Sequence, residues 1–247
     1  MKAFIKMLKT ELVLSLRGMD MLIFAICMPA VISIILGAIY GTSPAFEGSE
    51  YTFIEQSFGA LSAIAVCAGG LMGLPLVVAD YRNKKILKRF KVTPTSPKLI
   101  LTVQIFIYIF YSIISLILNY FILTVFFGYN FRGSIIEFLG AYFLVMLSMF
   151  SIGMLVGGVA PNTKIATVLA CILYFPMLIF SGATLPYEVL PSHFQRIADF
   201  MPLTQGIKLL KSSSLGVYNE NIFIPIIAMI FLGIICIIFS IKFFKWE

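Results

Sequence analysis

At 247 residues, with 60% hydrophobic and only 12% charged side chains and a mean hydropathy of +1.03, the chain is too apolar for a water-soluble domain. Its net charge of +7 does not point to nucleic acid, because little soluble surface remains to carry a basic patch. Six stretches without a charged side chain fill it: 21–46, 56–79, 99–131, 138–163, 165–187 and 221–241. A helix rises about 1.5 Å per residue, so even the shortest reaches roughly 30 Å, the thickness of the hydrocarbon core. The expected fold is an all-α integral membrane protein with six transmembrane helices, and residues 1–247 form one membrane domain.

Residues 1–17 read as an amphipathic helix lying on the membrane surface. Ile5, Leu8, Leu12 and Leu16 share one face, and Lys2, Lys6, Lys9 and Arg17 lie beside it. No small-residue cleavage pattern follows the first apolar run, so a removed signal peptide is not expected. Span 1 covers about 21–40, where Pro29 predicts a kink. A loop at 41–55 leads to span 2, about 56–79, which carries Gly59, Gly69, Gly70, Gly73 and Pro75. Gly69 and Gly73 have the small-xxx-small spacing that lets helices approach closely.

Span 3 lies within 99–127 and holds Gln104 and Asn119. A turn at 128–133 precedes span 4, about 135–157. The short turn at 160–164 makes spans 4 and 5 antiparallel neighbours. Span 5, about 165–180, is followed by a segment too apolar for a free loop and too interrupted for one span. Pro186, Pro191 and Pro202 punctuate it, and Phe194, Ile197 and Met201 keep helical spacing. The region 182–211 therefore reads as two short re-entrant or interfacial helices before span 6 at about 221–241.

The charges set an orientation. Fourteen of the 18 basic residues fall on the side of the two termini and the 80–98 loop. The positive-inside rule makes both termini and that loop cytoplasmic. Within the loop, Ile86, Leu87 and Phe90 would form one apolar ridge among lysines and arginines, a pattern suited to docking on a soluble partner or to resting on lipid.

Catalysis by this chain is not expected. His193 has no neighbouring cysteine or carboxylate pair. Cys27, Cys67, Cys171 and Cys236 lie within spans without metal-ligand spacing, so no metal site is expected. No Gly-rich phosphate loop ending in Gly-Lys-Ser/Thr is present, and no carboxylate lies deep in a span to serve an ion relay. A transporter built this way borrows its energy or is passive.

Several segments together resemble the membrane permease subunit of bacterial ABC-2 type exporters, the group that includes half-size drug and antibiotic efflux permeases. They are Gly73-Leu74-Pro75-Leu76 leading into Asp80-Tyr81-Arg82, then Leu87-Lys88-Arg89-Phe90-Lys91-Val92-Thr93-Pro94 and Ser96-Pro97. Phe180-Ser181-Gly182, Leu185-Pro186 and Pro202-Leu203-Thr204 continue the resemblance. Asp80 stands where the family usually has Glu, and Lys85-Ile86 where it has a Gly-Thr pair. The resemblance implies an interfacial helix before six spans, a coupling helix in the 80–98 loop, and re-entrant helices at 182–211. It further implies a homodimer in the bacterial plasma membrane paired with two ABC ATP-binding subunits, which would bind ATP and Mg.

Asp80, Arg82, Ile86, Leu87 and Phe90 are then the expected contacts to the ATPase. Gly69, Gly70, Gly73, Tyr174, Phe175 and Pro176 are expected at the substrate path or dimer interface, with surrounding lipid as the remaining partner. The expected cargo is lipophilic or amphiphilic and leaves the cell. The alternatives are a non-transporting binding or immunity protein and a permease for a lipid-linked glycan.

Overall fold

In the computed structural model, the described residues are 2–18, 23–41, 43–45, 48–86, 97–184, 187, 191–217 and 222–243. Nine helices occupy them. Helix α1 (Lys2–Gly18) precedes α2, a π-helical turn (Ile23–Cys27) running into an α-helix (Met28–Tyr40). Then follow α3 (Phe53–Asn83), α4 (Pro97–Phe127), α5 (Ile135–Val159) and α6 (Thr163–Phe180). Two short helices, α7 (Ser192–Asp199) and α8 (Pro202–Leu215), lead to α9 (Phe223–Phe243). Five of these, α3, α4, α5, α6 and α9, are long and apolar enough to cross a membrane, and α2 is a shorter apolar helix. The chain is a multi-pass α-helical membrane protein.

Helix α3 is the centre of the bundle: 83% of its most apolar stretch is buried, against 28% for α6 and α9 at the rim. Its middle is small and wide-turned. A π-helical segment, Ala68–Gly73, interrupts it, and Pro75 follows one residue later, after Leu74. Pro29 likewise follows the π turn of α2. A proline cannot donate to the preceding turn and its ring crowds the carbonyl four residues back, so a wider turn just before it relieves both problems. The kink expected at Pro29 thus takes the form of a π turn.

The glycines of α3 let α5 and α8 come to backbone contact. A Cβ on Gly59 would sit 2.8 Å from the Leu210 backbone, and one on Gly70 would sit 2.9 Å from the Met149 backbone. Across that second contact, a Cβ on Gly153 would fall 1.8 Å from the Gly70 carbonyl oxygen. Polar groups supplement the packing. The Ser33 hydroxyl donates to Asn119 Oδ1 (2.8 Å), joining α2 to α4, and that of Ser148 donates to the Met229 carbonyl (2.8 Å), joining α5 to α9.

Three expectations change in detail. Helix α3 starts at Phe53, earlier than the loop 41–55 allows, because Thr52 and Glu55 form a capping box. Helix α6 follows α5 through the short turn at Ala160–Asn162 yet lies chiefly along α3, touching α5 only lightly. In α1 the inward stripe is Phe4, Met7, Leu8 and Leu12, packed on Val103, Ile107 and Tyr111. Ile5 and Leu16 are 58% and 43% exposed instead of sharing that face. Hydrogen bonds that turn Glu11 and Ser15 toward the bundle account for this rotation.

Candidate functional site: the base of the 80–98 loop and the cavity at the opposite end

The bundle has two ends. One carries α1, the exit of α3 and the starts of α4 and α6; it is called the basic end here. The other carries 43–45, 48–52, 128–134 and helices α7 and α8.

At the basic end, α3 finishes in Asp80-Tyr81-Arg82-Asn83, and each functional side chain there is held differently. The Tyr81 hydroxyl donates to Glu11 Oε2 on α1. Gln104 of α4 reaches the same two groups, with its Nε2 2.9 Å from Glu11 Oε2 and 2.9 Å from the Tyr81 hydroxyl. One carboxylate oxygen thereby ties three helices. Four residues further along α1, Ser15 accepts from the Tyr111 hydroxyl at 2.9 Å. Arg82 points the other way: only 6% exposed, it donates through Nη1 to the Gly158 carbonyl (2.9 Å) at the end of α5. That carbonyl belongs to the last turn of a helix, where acceptors lack intrahelical donors and the dipole favours a cation.

Asp80 pairs with Lys84 at 2.8 Å, one turn on, in a largely solvent-facing contact that contributes little to stability. Lys85 then turns the chain with a φ of 55°. Ile86 is half-buried and packs on Val78, Ile100 and Leu101. Leu87 and Phe90 lie outside the described residues. Of the five expected coupling residues, Asp80, Arg82 and Ile86 therefore gather at the foot of the loop. Sequence reasoning missed Glu11 and Tyr81 as members of this site. Gln104 was legible as a bridging residue, since an amide inside an apolar span needs a partner.

The other expected set divides. Gly69, Gly70 and Gly73 are buried inside the chain, where Gly70 meets α5. On α6, Tyr174 is buried against the core and stacks edge-on with Phe175 at 5.4 Å. Phe175 is 50% exposed and turns outward.

At the opposite end a cavity of about 1050 Å³ opens among α2, α3, α8, residues 181–184 and 187, and the start of α9. Its wall is rich in polar side chains, with Gln56 and Ser57 from α3, Thr204, Lys208 and Ser212 from α8, and Thr184, Tyr187 and Asp199. Asp199 Oδ1 accepts from Lys208 Nζ (2.6 Å) and from the Tyr187 hydroxyl (2.8 Å), while the ammonium also lies 4.7 Å above the Tyr187 ring. Burial alone would raise the Asp199 pKa. Hydrogen bonds from Lys208 and Tyr187, with the lysine's charge, outweigh it and hold the carboxyl below its usual range. Lys208 is thereby part of this polar wall. Helix α8 itself is mostly buried against α3 and α5.

The rim beside this cavity is braced from α3. Glu55, 4% exposed, accepts the Thr52 N–H (2.9 Å) and pairs with Arg132 Nε (3.1 Å). Behind it Phe58 stacks on Phe138 (5.3 Å) and Tyr129 (4.6 Å). Gly133 donates to the Ser214 carbonyl at 3.0 Å, locking the 128–134 turn onto α8. Among the described residues no cluster of His, Cys, Asp or Glu could hold a metal. His193 stands exposed on α7.

The sequence profile of the ABC-2 type transporter family matches residues 2–215, and the chain belongs to that family. Membership makes it a membrane component of an ABC transporter, a transport subunit and not an enzyme. It is 31% identical over 116 residues to nodulation protein J of Rhizobium leguminosarum bv. viciae, covering 47% of this chain and 42% of that protein. With nodulation protein J of Neorhizobium galegae it shares 29% over 123 residues, 50% of this chain and 45% of the relative. The counterpart in Rhizobium meliloti (strain 1021) is 30% identical over 89 residues, 36% of this chain and 34% of the relative. The matched region thus spans less than half the length of each of these relatives.

Proposed function

We propose that this chain is the permease subunit of an ATP-driven exporter, working as a homodimer with two separate ATP-binding subunits in a bacterial plasma membrane. Both termini and the 80–98 loop face the cytoplasm in this reading, on the strength of the basic residues gathered there. The observation that carries coupling is the fixed base of the loop. Tyr81 and Arg82 tie the last turn of α3 to α1, α4 and α5, so a force on the loop is delivered to the central helix of the bundle.

The cargo is an amphiphile whose polar part meets the cavity between α3 and α8. That wall offers amide, hydroxyl, ammonium and carboxylate groups. A wall of this kind favours a hydroxyl-rich head, as in a lipid-linked glycan, over a purely lipophilic drug, which would leave it unpaired. The second copy packs along α2 and α6, both of which flank α3. Phe175 and Pro176 lie toward that partner, and the glycine segment of α3 lies behind.

The test is a double substitution, Leu87→Glu with Phe90→Glu. Uncompensated charge in a docking contact is costly. Recovery of the ATPase with the membrane-inserted chain should fall at least about tenfold, equivalent to roughly 1.4 kcal/mol. ATP-dependent export from reconstituted vesicles should stop. Undiminished binding and export would remove the loop from the mechanism.

A further inference from the structure

A second cavity, of about 640 Å³, lies between α4, α5 and the C-terminal part of α9; the polar one touches only the other end of α9. Its wall is apolar, built from residues such as Ile105, Ile109, Phe143, Phe150 and Met154. Three hydroxyls border it, those of Thr102, Ser151 and Ser240, and two of them donate within their own helices. Thr102 donates to the Lys98 carbonyl (3.0 Å) and Ser151 to the Leu147 carbonyl, each within its own helix. An occupant therefore finds mainly dispersion contacts along the shaft. The one charged side chain in the wall is Lys98, exposed in the first turn of α4 at the basic end.

The length decides what fits. Along α4 the wall runs from Lys98 to Ile109, and along α5 from Met154 back to Phe143. Eleven helical steps of 1.5 Å give about 16 Å in both cases. That is half of the roughly 30 Å hydrocarbon core, the depth of one leaflet. The volume falls in the ordinary range for small-molecule sites, roughly 300–1,000 Å³.

We infer that this cavity is a binding site for an anionic phospholipid of the leaflet at the basic end, with an acyl chain in the apolar shaft and the phosphate at Lys98. A cation at the headgroup level above an apolar slot between spans is the arrangement that selects anionic over zwitterionic lipid. The site is independent of the transport reading, because it is defined on the chain alone and lies apart from the polar cavity. Through α5 it borders the helix that packs on the glycine segment of α3.

Native mass spectrometry of the full chain in detergent, titrated with phosphatidylglycerol or phosphatidylcholine, tests it without any ATPase. Wild type should retain phosphatidylglycerol in preference to phosphatidylcholine. One lysine near the surface corresponds to roughly a five-fold change in affinity. Lys98→Gln should weaken phosphatidylglycerol retention by about that factor and leave phosphatidylcholine unchanged. Lys164→Gln, also exposed at the basic end but outside the cavity wall, should change neither. Ser151→Phe, filling the shaft, should abolish retention of the lipid in protein that keeps its helical circular dichroism. Equal retention of the two lipids by wild type, or an effect of Lys164→Gln matching that of Lys98→Gln, would overturn the site. Loss of export in a Leu87/Phe90 variant that still retains phosphatidylglycerol would bear only on the transport reading.

Discussion

Helix α3 is held by different means at its two ends and in its middle. At the Phe53 end a carboxylate, Glu55, caps its own helix and pairs with Arg132 in a turn that is itself locked onto α8. At the Asn83 end a phenol and a guanidinium reach outward, to the surface helix α1 and to the end of α5. Between them no polar tie is needed, because Gly70 and Gly153 bring two backbones together. The middle is a packed joint, the Phe53 end is a brace, and the Asn83 end links the core to a peripheral helix beside the loop. This division teaches where motion can enter: a contact between backbones has almost no alternative arrangement, whereas hydrogen bonds to a half-buried surface helix can be exchanged for water at modest cost.

The largest effect should come from the middle. A methyl group on Gly153 meets the Gly70 carbonyl oxygen at 1.8 Å and Pro75 Cδ at 3.3 Å, and neither can rotate away. Overpacking of this kind costs about 1–3 kcal/mol and occasionally more. Gly153→Ala should therefore lower the melting temperature of the purified chain by roughly 5–10 °C or prevent its recovery. Gly140→Ala on the same helix, where nothing lies within 4 Å, should be silent or slightly stabilising. Equal behaviour of the two variants would mean that α3 and α5 are not in backbone contact.

The brace at the Phe53 end should rank second. Glu55→Ala removes the acceptor of the Thr52 N–H and the partner of Arg132. Because the Arg132 side chain is 44% exposed, its charge can turn to water, so the loss falls short of that for a buried pair. A destabilisation of about 1–2 kcal/mol is expected, most of it from the lost cap. Glu55→Gln keeps a carbonyl for Thr52 and should lose about half as much in the same melting experiment. An equal loss for Glu55→Gln and Glu55→Ala would show that the charge pair, not the cap, carries the brace.

Much of this architecture is legible in the residues. Uncharged stretches locate the spans because a membrane helix exposes its composition all round, and the prolines of 182–211 mark two short helices where the structure has α7 and α8. The start of α3 was legible too: Thr52-x-x-Glu55 is a capping box, although Glu55 looks like a loop residue when charge alone sets the boundary. What the residues do not reveal is partnership across distance. Glu11 and Tyr81 are 70 positions apart, and nothing local to either says that they meet. The rotation of α1 follows from the same cause, since its apolar residues surround more than half the helix and only the Glu11 and Ser15 bonds select a face. The pairing of Lys208 with Asp199, nine residues earlier, is likewise visible only once the two are placed side by side.

The smallest effect on stability, and the most informative for mechanism, should come from the Asn83 end. Tyr81→Phe keeps the ring and its packing and deletes one hydroxyl. Glu11 retains the Gln104 amide at 2.9 Å, so no carboxylate is left without a donor. The net worth of such a hydrogen bond is about 0.5–1.5 kcal/mol, and the melting temperature should shift by only a few degrees. If the link between α3 and α1 transmits the movement of the loop, ATPase binding should survive in this variant while ATP-dependent export falls severalfold. The two readouts separate the roles, because a purely structural bond would lower both in proportion to the folded fraction. Glu11→Gln probes the same node from the other side. Its amide can accept from Tyr81 or from Gln104 only as a neutral group, so it should weaken export less than Tyr81→Phe does. Full export by Tyr81→Phe would assign the Glu11–Tyr81–Gln104 node to anchoring α1 and leave Arg82, through Gly158, as the remaining route from the loop into the bundle.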